Sequence, residues 1–280
     1  MKPIVIIIIL YSLFNFVDAD ENINEKDNLN RTIPPSLPAL RWSQNELTAI
    51  SSILAGDTYF FKEATETIFK KKSQKAELIH IATHAIIDNA EPMFSRLLFT
   101  PAGKDDPDDG LLYAYELFNL KLKSKLVILS ACNTGCGKLN RGEGIMSIAR
   151  GFMYAGCPSI IMSLWQIDDQ STVDLMNTFY RQLAKKKSKD EALREAKLKY
   201  LENADAIKSN PLYWAGFISL GDPVPVKLVR KKCGYDIVIY IFIGICIMIG
   251  SGYFFFYRKN YLVRGNYKKF TGYLNSRKSG

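Results

Sequence analysis

The sequence predicts an α/β fold: a mostly parallel sheet with helices on both faces. Three observations carry that expectation. First, Leu78–Thr83, Lys125–Ala131 and Ser159–Leu164 are short, nearly continuous apolar runs, the pattern of strands covered on both sides. Second, segments with helical spacing lie between and after them. Third, no repeat of 30 to 40 residues is present, so a helical-repeat array is excluded. With 280 residues, 48% of them apolar, the chain can bury a sizeable core without disulfide or metal staples.

The elements follow in order. Trp42–Ala55 carries Leu47, Ile50, Ile53 and Leu54 at helical spacing and stops at Gly56. Thr58–Phe61 reads as a short strand, and Ala64–Lys72 as a small helix whose basic end suits its dipole. After the strand 78–83 comes a long segment, Ala85–Gly110, that breaks the alternation. It holds Pro92, Pro101, Gly103 and the acidic run Asp105-Asp106-Pro107-Asp108-Asp109, and reads as a loop with a solvated acidic excursion. Helices are expected at Tyr113–Asn119 and at Ile145–Tyr154, the latter closed by Gly156. Two more are expected at Ser171–Ala184 and Lys189–Glu202. A last strand, Trp214–Leu220, ends at Gly221-Asp222-Pro223.

The flanks of this body differ from it. Met1-Lys2, the apolar run Ile4–Val17 and the small-residue end Val17-Asp18-Ala19 describe a secretory signal over 1–19. Residues 20–36 form a polar linker running into Pro34-Pro35-Ser36-Leu37-Pro38, and the folded domain is expected over 37–226. Residues 237–257 hold no charge and, at about 1.5 Å per residue, are long enough for a transmembrane helix. The basic tail 258–280 is then cytoplasmic, and the domain extracytoplasmic, in a single-pass protein.

The net charge of +9 belongs to these flanks. The tail carries seven basic and no acidic side chains, and Lys227, Arg230, Lys231 and Lys232 precede the span. The body itself is close to neutral, so no nucleic-acid groove is expected. Five cysteines and two histidines show no metal-ligand spacing. Neither a metal nor a cofactor is expected.

In open parallel sheets, sites gather beyond the carboxyl ends of the strands. His84 follows the strand 78–83 and Cys132 follows the strand 125–131. If the two strands run in the same direction, an imidazole and a thiol emerge at one rim, and the imidazole can generate the nucleophilic thiolate. His80 lies inside its strand and reads as a packed core histidine. Cys136 reads as loop structure, able to pair with Cys132 under oxidising conditions. Asp168 and Asp169 follow the third strand; Asp169 is the expected cap of the next helix. Glu143 is expected to organise the helix start near 145, and Trp165 and Trp214 to pack.

Six motifs in order carry a resemblance: Leu78-Ile-His-Ile-Ala-Thr-His84, Leu129-Ser-Ala-Cys-Asn-Thr-Gly135, Gly142-Glu-Gly144, Ala149-Arg-Gly-Phe152, Ser163-Leu-Trp-Gln-Ile-Asp-Asp169 and Tyr213-Trp-Ala-Gly-Phe217. Together, from about Leu37 to Asp222, they resemble the CHAT domain, a caspase-like family related to separases, caspases and gingipains. The interval of roughly 50 residues from His84 to Cys132 also resembles that of caspases. The resemblance implies a caspase-like three-layer α/β/α sandwich with Cys132 as nucleophile and His84 as general acid/base. It implies an oxyanion hole from backbone N–H groups at Ala85 and Cys132. The family's histidine is typically followed by glycine, where this chain has Ala85. Asp168, at the same rim, is the expected selector of a basic substrate side chain.

The function expected is a membrane-anchored cysteine endopeptidase acting on a protein substrate. The alternative is a catalytically weak or inactive membrane-tethered scaffold of the same fold. Because only about 20 residues separate the expected signal from the domain, control is expected from a regulatory protein supplied in trans or from membrane clustering.

Overall fold

In this computed structural model the described residues are 4–7, 43–101, 103, 106–130, 132–133, 143–228, 241–251 and 253–254. They fall in two units, 1–231 and 232–280. The first opens with β1 (Ile4–Ile7), α1 (Ser43–Ile53), β2 (Gly56–Tyr59) and α2 (Glu66–Ser73). Then come β3 (Leu78–Ile81), β4 (His84–Ile86), β5 (Arg96–Leu98), β6 (Leu111–Tyr113) and α3 (Ala114–Leu117). The rest is β7 (Leu126–Leu129), β8 (Cys132–Asn133), α4 (Glu143–Tyr154), β9 (Ser159–Ser163), α5 (Asp169–Leu183), α6 (Lys189–Asn203) and β10 (Phe217–Gly221).

The main sheet has the order β10-β9-β7-β3. β3, β7 and β9 are parallel, and β10 is antiparallel to β9. The expected apolar runs are thus its three parallel strands, and the mixed α/β fold with a mostly parallel sheet is as read. Alternation along each strand feeds two cores. Ile79, Ile81, Val127, Leu129, Ile160 and Met162 pack with Phe69 of α2, Leu117 of α3 and Phe152 of α4. Leu78, Leu126, Ile128 and Ile161 pack with Ile50 of α1, Phe179 of α5 and Ala192 of α6. The result is three layers, helices over each face of one sheet. Gly156 ends α4 at φ 109°, where a Cβ would meet the Leu122 carbonyl at 3.0 Å.

The segment 85–110 departs from expectation. It is not a loop throughout: it holds β5 and most of β4, the middle strands of a second sheet of order β6-β5-β4-β8, whose β4–β5 and β5–β6 pairs are antiparallel. Its acidic run is not a free excursion either. Thr67 of α2 donates to Asp106 and Asp108, and Lys70 binds Asp108 at 2.7 Å, Glu66 at 2.6 Å and Glu116 at 3.0 Å. Gly110, at φ 84°, donates its N–H to Glu66 at 3.0 Å, closing the turn into β6. The final strand also starts later than expected, because Pro211–Tyr213 forms a 3₁₀ turn ahead of β10.

β1 lies within the apolar run expected to be a secretory signal, and it pairs in parallel with β2, Ile4 opposite Gly56 and Ile7 opposite Tyr59. The rest of the segment 1–19, the linker 20–36 and the tail 258–280 lie outside the described residues. So does part of the expected span 237–257; residues 241–251 are helical and exposed. Among the described residues no helix is long and apolar enough to cross a membrane.

Candidate active site

β3 and β7 are paired with Leu78 opposite Leu126 and Ile81 opposite Leu129. Both chains then bend in step: Ser130 N–H donates to the Ile81 carbonyl at 2.8 Å, and the strands resume as β4 and β8 in the second sheet. There His84 stands directly opposite Cys132, and Ala85 opposite Asn133. The same chain offset separates every pair on both sides of the bend, so no bulge intervenes. The His84–Cys132 interval in the sequence is therefore the register of a parallel ladder, which sets neighbouring backbones about 4.8 Å apart. Cys132 is described here by its backbone alone.

Thr83, fully buried, holds the bend by donating its hydroxyl to the Leu98 carbonyl of β5. His84 is only 1% exposed. Ala85 turns its methyl into the core beside Leu97 and Leu112. Its backbone lies between β5 and β8, and its φ is not positive, so alanine sits here without the conformational freedom of glycine.

His80, four residues before His84, is the packed core histidine expected. Its Nδ1 lies 2.8 Å from the Tyr180 hydroxyl of α5, and its Nε2 lies 3.2 Å from Glu46 Oε1 of α1. Glu46 in turn accepts the Ser130 hydroxyl at 3.3 Å. This buried chain ties both outer helices to the strand ends that carry His84 and Cys132. Burial, with the Glu46 charge adding to it, holds the Tyr180 phenol well above its usual range.

The cap of α5 is Asp168, not Asp169 as expected. Asp168 accepts both the backbone N–H and the hydroxyl of Ser171 at 3.0 Å. Asp169 is the first helical residue, and burial plus the nearby Asp168 and Glu46 charges push its carboxyl up. Glu143 is the first residue of α4. Trp165 and Trp214 pack against the second core. Cys157 is buried and free, its thiol raised by burial; Cys136 lies outside the described residues. No group of three or more acidic, His or Cys side chains among the described residues is placed to hold a metal ion.

The profile of the CHAT domain matches residues 19–222. The chain belongs to the CHAT domain family. Among curated proteins, this CHAT domain is similar to tetratricopeptide repeat protein 28. Identity is 26% over 233 residues for the Homo sapiens protein and 25% over 238 for that of Mus musculus. Each match covers 69% of this chain, and the chain spans 9% of those relatives' length. Among solved structures it is similar to the Arg-specific cysteine proteinase gingipain R at 13% identity and a TM-score of 0.39, covering 65% of this chain and 40% of that one.

Three residues near the candidate pair escaped sequence reading. Glu46 and Ser130 meet His80 only through tertiary packing, and Arg96 stands in a three-residue strand too short to show a period. The signal that was available for Arg96 is a cation inside the apolar stretch Arg96-Leu-Leu-Phe99.

Proposed function

We propose that this CHAT domain is a caspase-like cysteine endopeptidase with Cys132 as nucleophile and His84 as its general acid/base. The imidazole takes the thiol proton, and the thiolate attacks the scissile carbonyl. The tetrahedral oxyanion is held by backbone N–H groups at Cys132 and Ala85. The protonated imidazole then gives its proton to the leaving amine, and water hydrolyses the thioester. One observation carries the reading: His84 and Cys132 are direct partners in a parallel ladder, the arrangement that puts base and nucleophile on adjacent strand ends. Family membership agrees with it. A peptide carrying a thiol-directed warhead should label the native chain and not Cys132→Ala; equal labelling overturns the proposal.

A second reading, a non-catalytic scaffold of the same fold, is favoured by the near-complete burial of His84. Absence of labelling with retained partner binding would select it. The charge-free residues 237–257 support a membrane anchor with the domain extracytoplasmic. A reporter active only outside the cytoplasm, fused after Val226, should be active; an inactive reporter reverses the topology.

A further inference from the structure

The second sheet has two unlike faces. Ala85, Leu97 and Leu112 point into the first core. Ile86, Leu98, Leu111 and Tyr113 point the other way and form a separate apolar cluster. Side chains alternate along a strand, so His84 shares the face of Ile86. Arg96 is the ladder partner of both Ile86 and Tyr113 and stands on that face too. The backbones of His84 and Arg96 are therefore one strand and two residues apart, roughly 5 Å across by 7 Å along, with both side chains on a single face.

Arg96 is only 6% exposed, and no carboxylate among the described residues pairs with it. Of its five N–H donors, one reaches the Phe94 carbonyl at 3.4 Å, while Nε is buried without a partner. Its charge is offset instead by the Tyr113 ring, 5.4 Å from centroid to guanidinium carbon. Tyr113 stacks on Tyr115 at 5.1 Å, and Phe94 meets both edge-on. Phe94 and Tyr115 are 44% and 43% exposed. A buried, under-bonded guanidinium stands behind an aromatic mouth that opens to solvent.

A buried cation without an acid partner is costly, and a bidentate carboxylate is the ligand its planar fork fits best. We propose that Arg96 is a specificity-determining residue that receives an aspartate or glutamate side chain of the peptide substrate, within two or three residues of the bond attacked by Cys132. This rests on the peptidase reading and extends it to a substrate class: acidic, aromatic-flanked peptides. It is a claim separate from the basic selectivity expected from Asp168, whose Oδ2 is engaged in capping α5.

Two measurements on the full chain separate the claims. In the first, native protein cleaves a randomised peptide pool and the products are sequenced by mass. Asp or Glu should be enriched near the cut, and Arg96→Gln should lower the kcat/KM ratio of a Glu peptide to its Gln analogue at least ten-fold, mostly through KM. Arg96→Lys should recover part of it. Cleavage with no acidic preference, or a ratio unchanged in Arg96→Gln, overturns the Arg96 proposal and leaves the peptidase reading standing. In the second, Cys132→Ala binds a fluorescent Glu-containing decapeptide. Arg96-dependent binding without cleavage by the native chain sustains the Arg96 site and overturns the peptidase reading. Equal binding of Glu and Gln peptides overturns the Arg96 site. Thermal melting of each variant identifies one that fails to fold, and the Lys variant then decides.

Discussion

The chain has two histidines, four residues apart and on consecutive strands, yet the fold treats them oppositely. His80 is enclosed in a chain of partners, Tyr180 on one nitrogen and Glu46 beside the other, that joins α5 and α1 across the sheet. His84 stands just past the bend, in a different sheet, with the backbone of Cys132 as its ladder neighbour. The first histidine is engaged by α5 and α1, while the second is the ladder neighbour of the proposed nucleophile. Residue type and spacing do not separate them; the bend at Thr83 does, because it moves the chain out of the first sheet and into the second, between β5 and β8.

The largest expected effect tests the second histidine. Removing a positioned general base costs about 10²–10⁴ in rate. His84→Ala and Cys132→Ala should each lower kcat/KM for a peptide substrate by at least about 10³, and the double variant should lose no more than the worse single one, because the two act as a unit. His80→Ala measured beside them should leave far more activity in the fraction that folds. Equal losses at the two histidines would erase the distinction between them.

The next effect tests the first histidine through stability. His80 and Glu46 are almost fully buried, and truncating one member of a buried polar cluster leaves its partners unsatisfied, about 1–3 kcal/mol. His80→Ala should therefore lower the denaturation midpoint sharply, with Glu46→Gln less severe because its amide can still accept from Ser130. His84→Ala should shift the midpoint far less. Urea titration of all three settles the order.

The same contrast explains what the sequence made legible. The parallel strands announce themselves because both faces are covered, so apolar residues run on without interruption. The interval from His84 to Cys132 could be read as family-like, and its physical meaning is the unbroken register of two ladders. The second sheet was hidden. β4, β5 and β6 are three residues each, too short for period two to emerge from a segment rich in Pro, Gly and Asp. Their fixation depends on distant partners, Thr67, Lys70 and Glu66 of α2, which no local pattern reveals. Arg96, buried in that sheet, was hidden with it.

Lys70 and Arg96 make a second pair for comparison: among the described residues, one cation is held by three carboxylates and the other by none. Burial pushes the Glu66 carboxyl up to about 7, against the pull of the Lys70 ammonium. A carboxyl whose folded value exceeds its unfolded value binds more protons when folded. Its contribution is therefore fully present below about 4.5 and is lost as pH rises through about 7. Stability should decline over that window, and Glu66→Gln should flatten the decline. Melting curves at intervals between pH 4 and 8 for the two proteins read it directly; an identical slope in both means that Lys70 keeps Glu66 ionised throughout.

The smallest effect concerns Asp168. As the N-cap of α5 it satisfies the Ser171 N–H and hydroxyl, and replacing such a cap by alanine costs about 1 kcal/mol. For a domain of this size that is a fall of about 2–4 °C in melting temperature. If capping is its whole role, Asp168→Asn, which can still accept from Ser171 N–H, recovers most of the loss, and neither variant changes the preference for acidic over basic peptides. A gain of acidic preference in Asp168→Asn would instead mean that its charge reaches the substrate, and that the two ends of the rim, Asp168 and Arg96, select together.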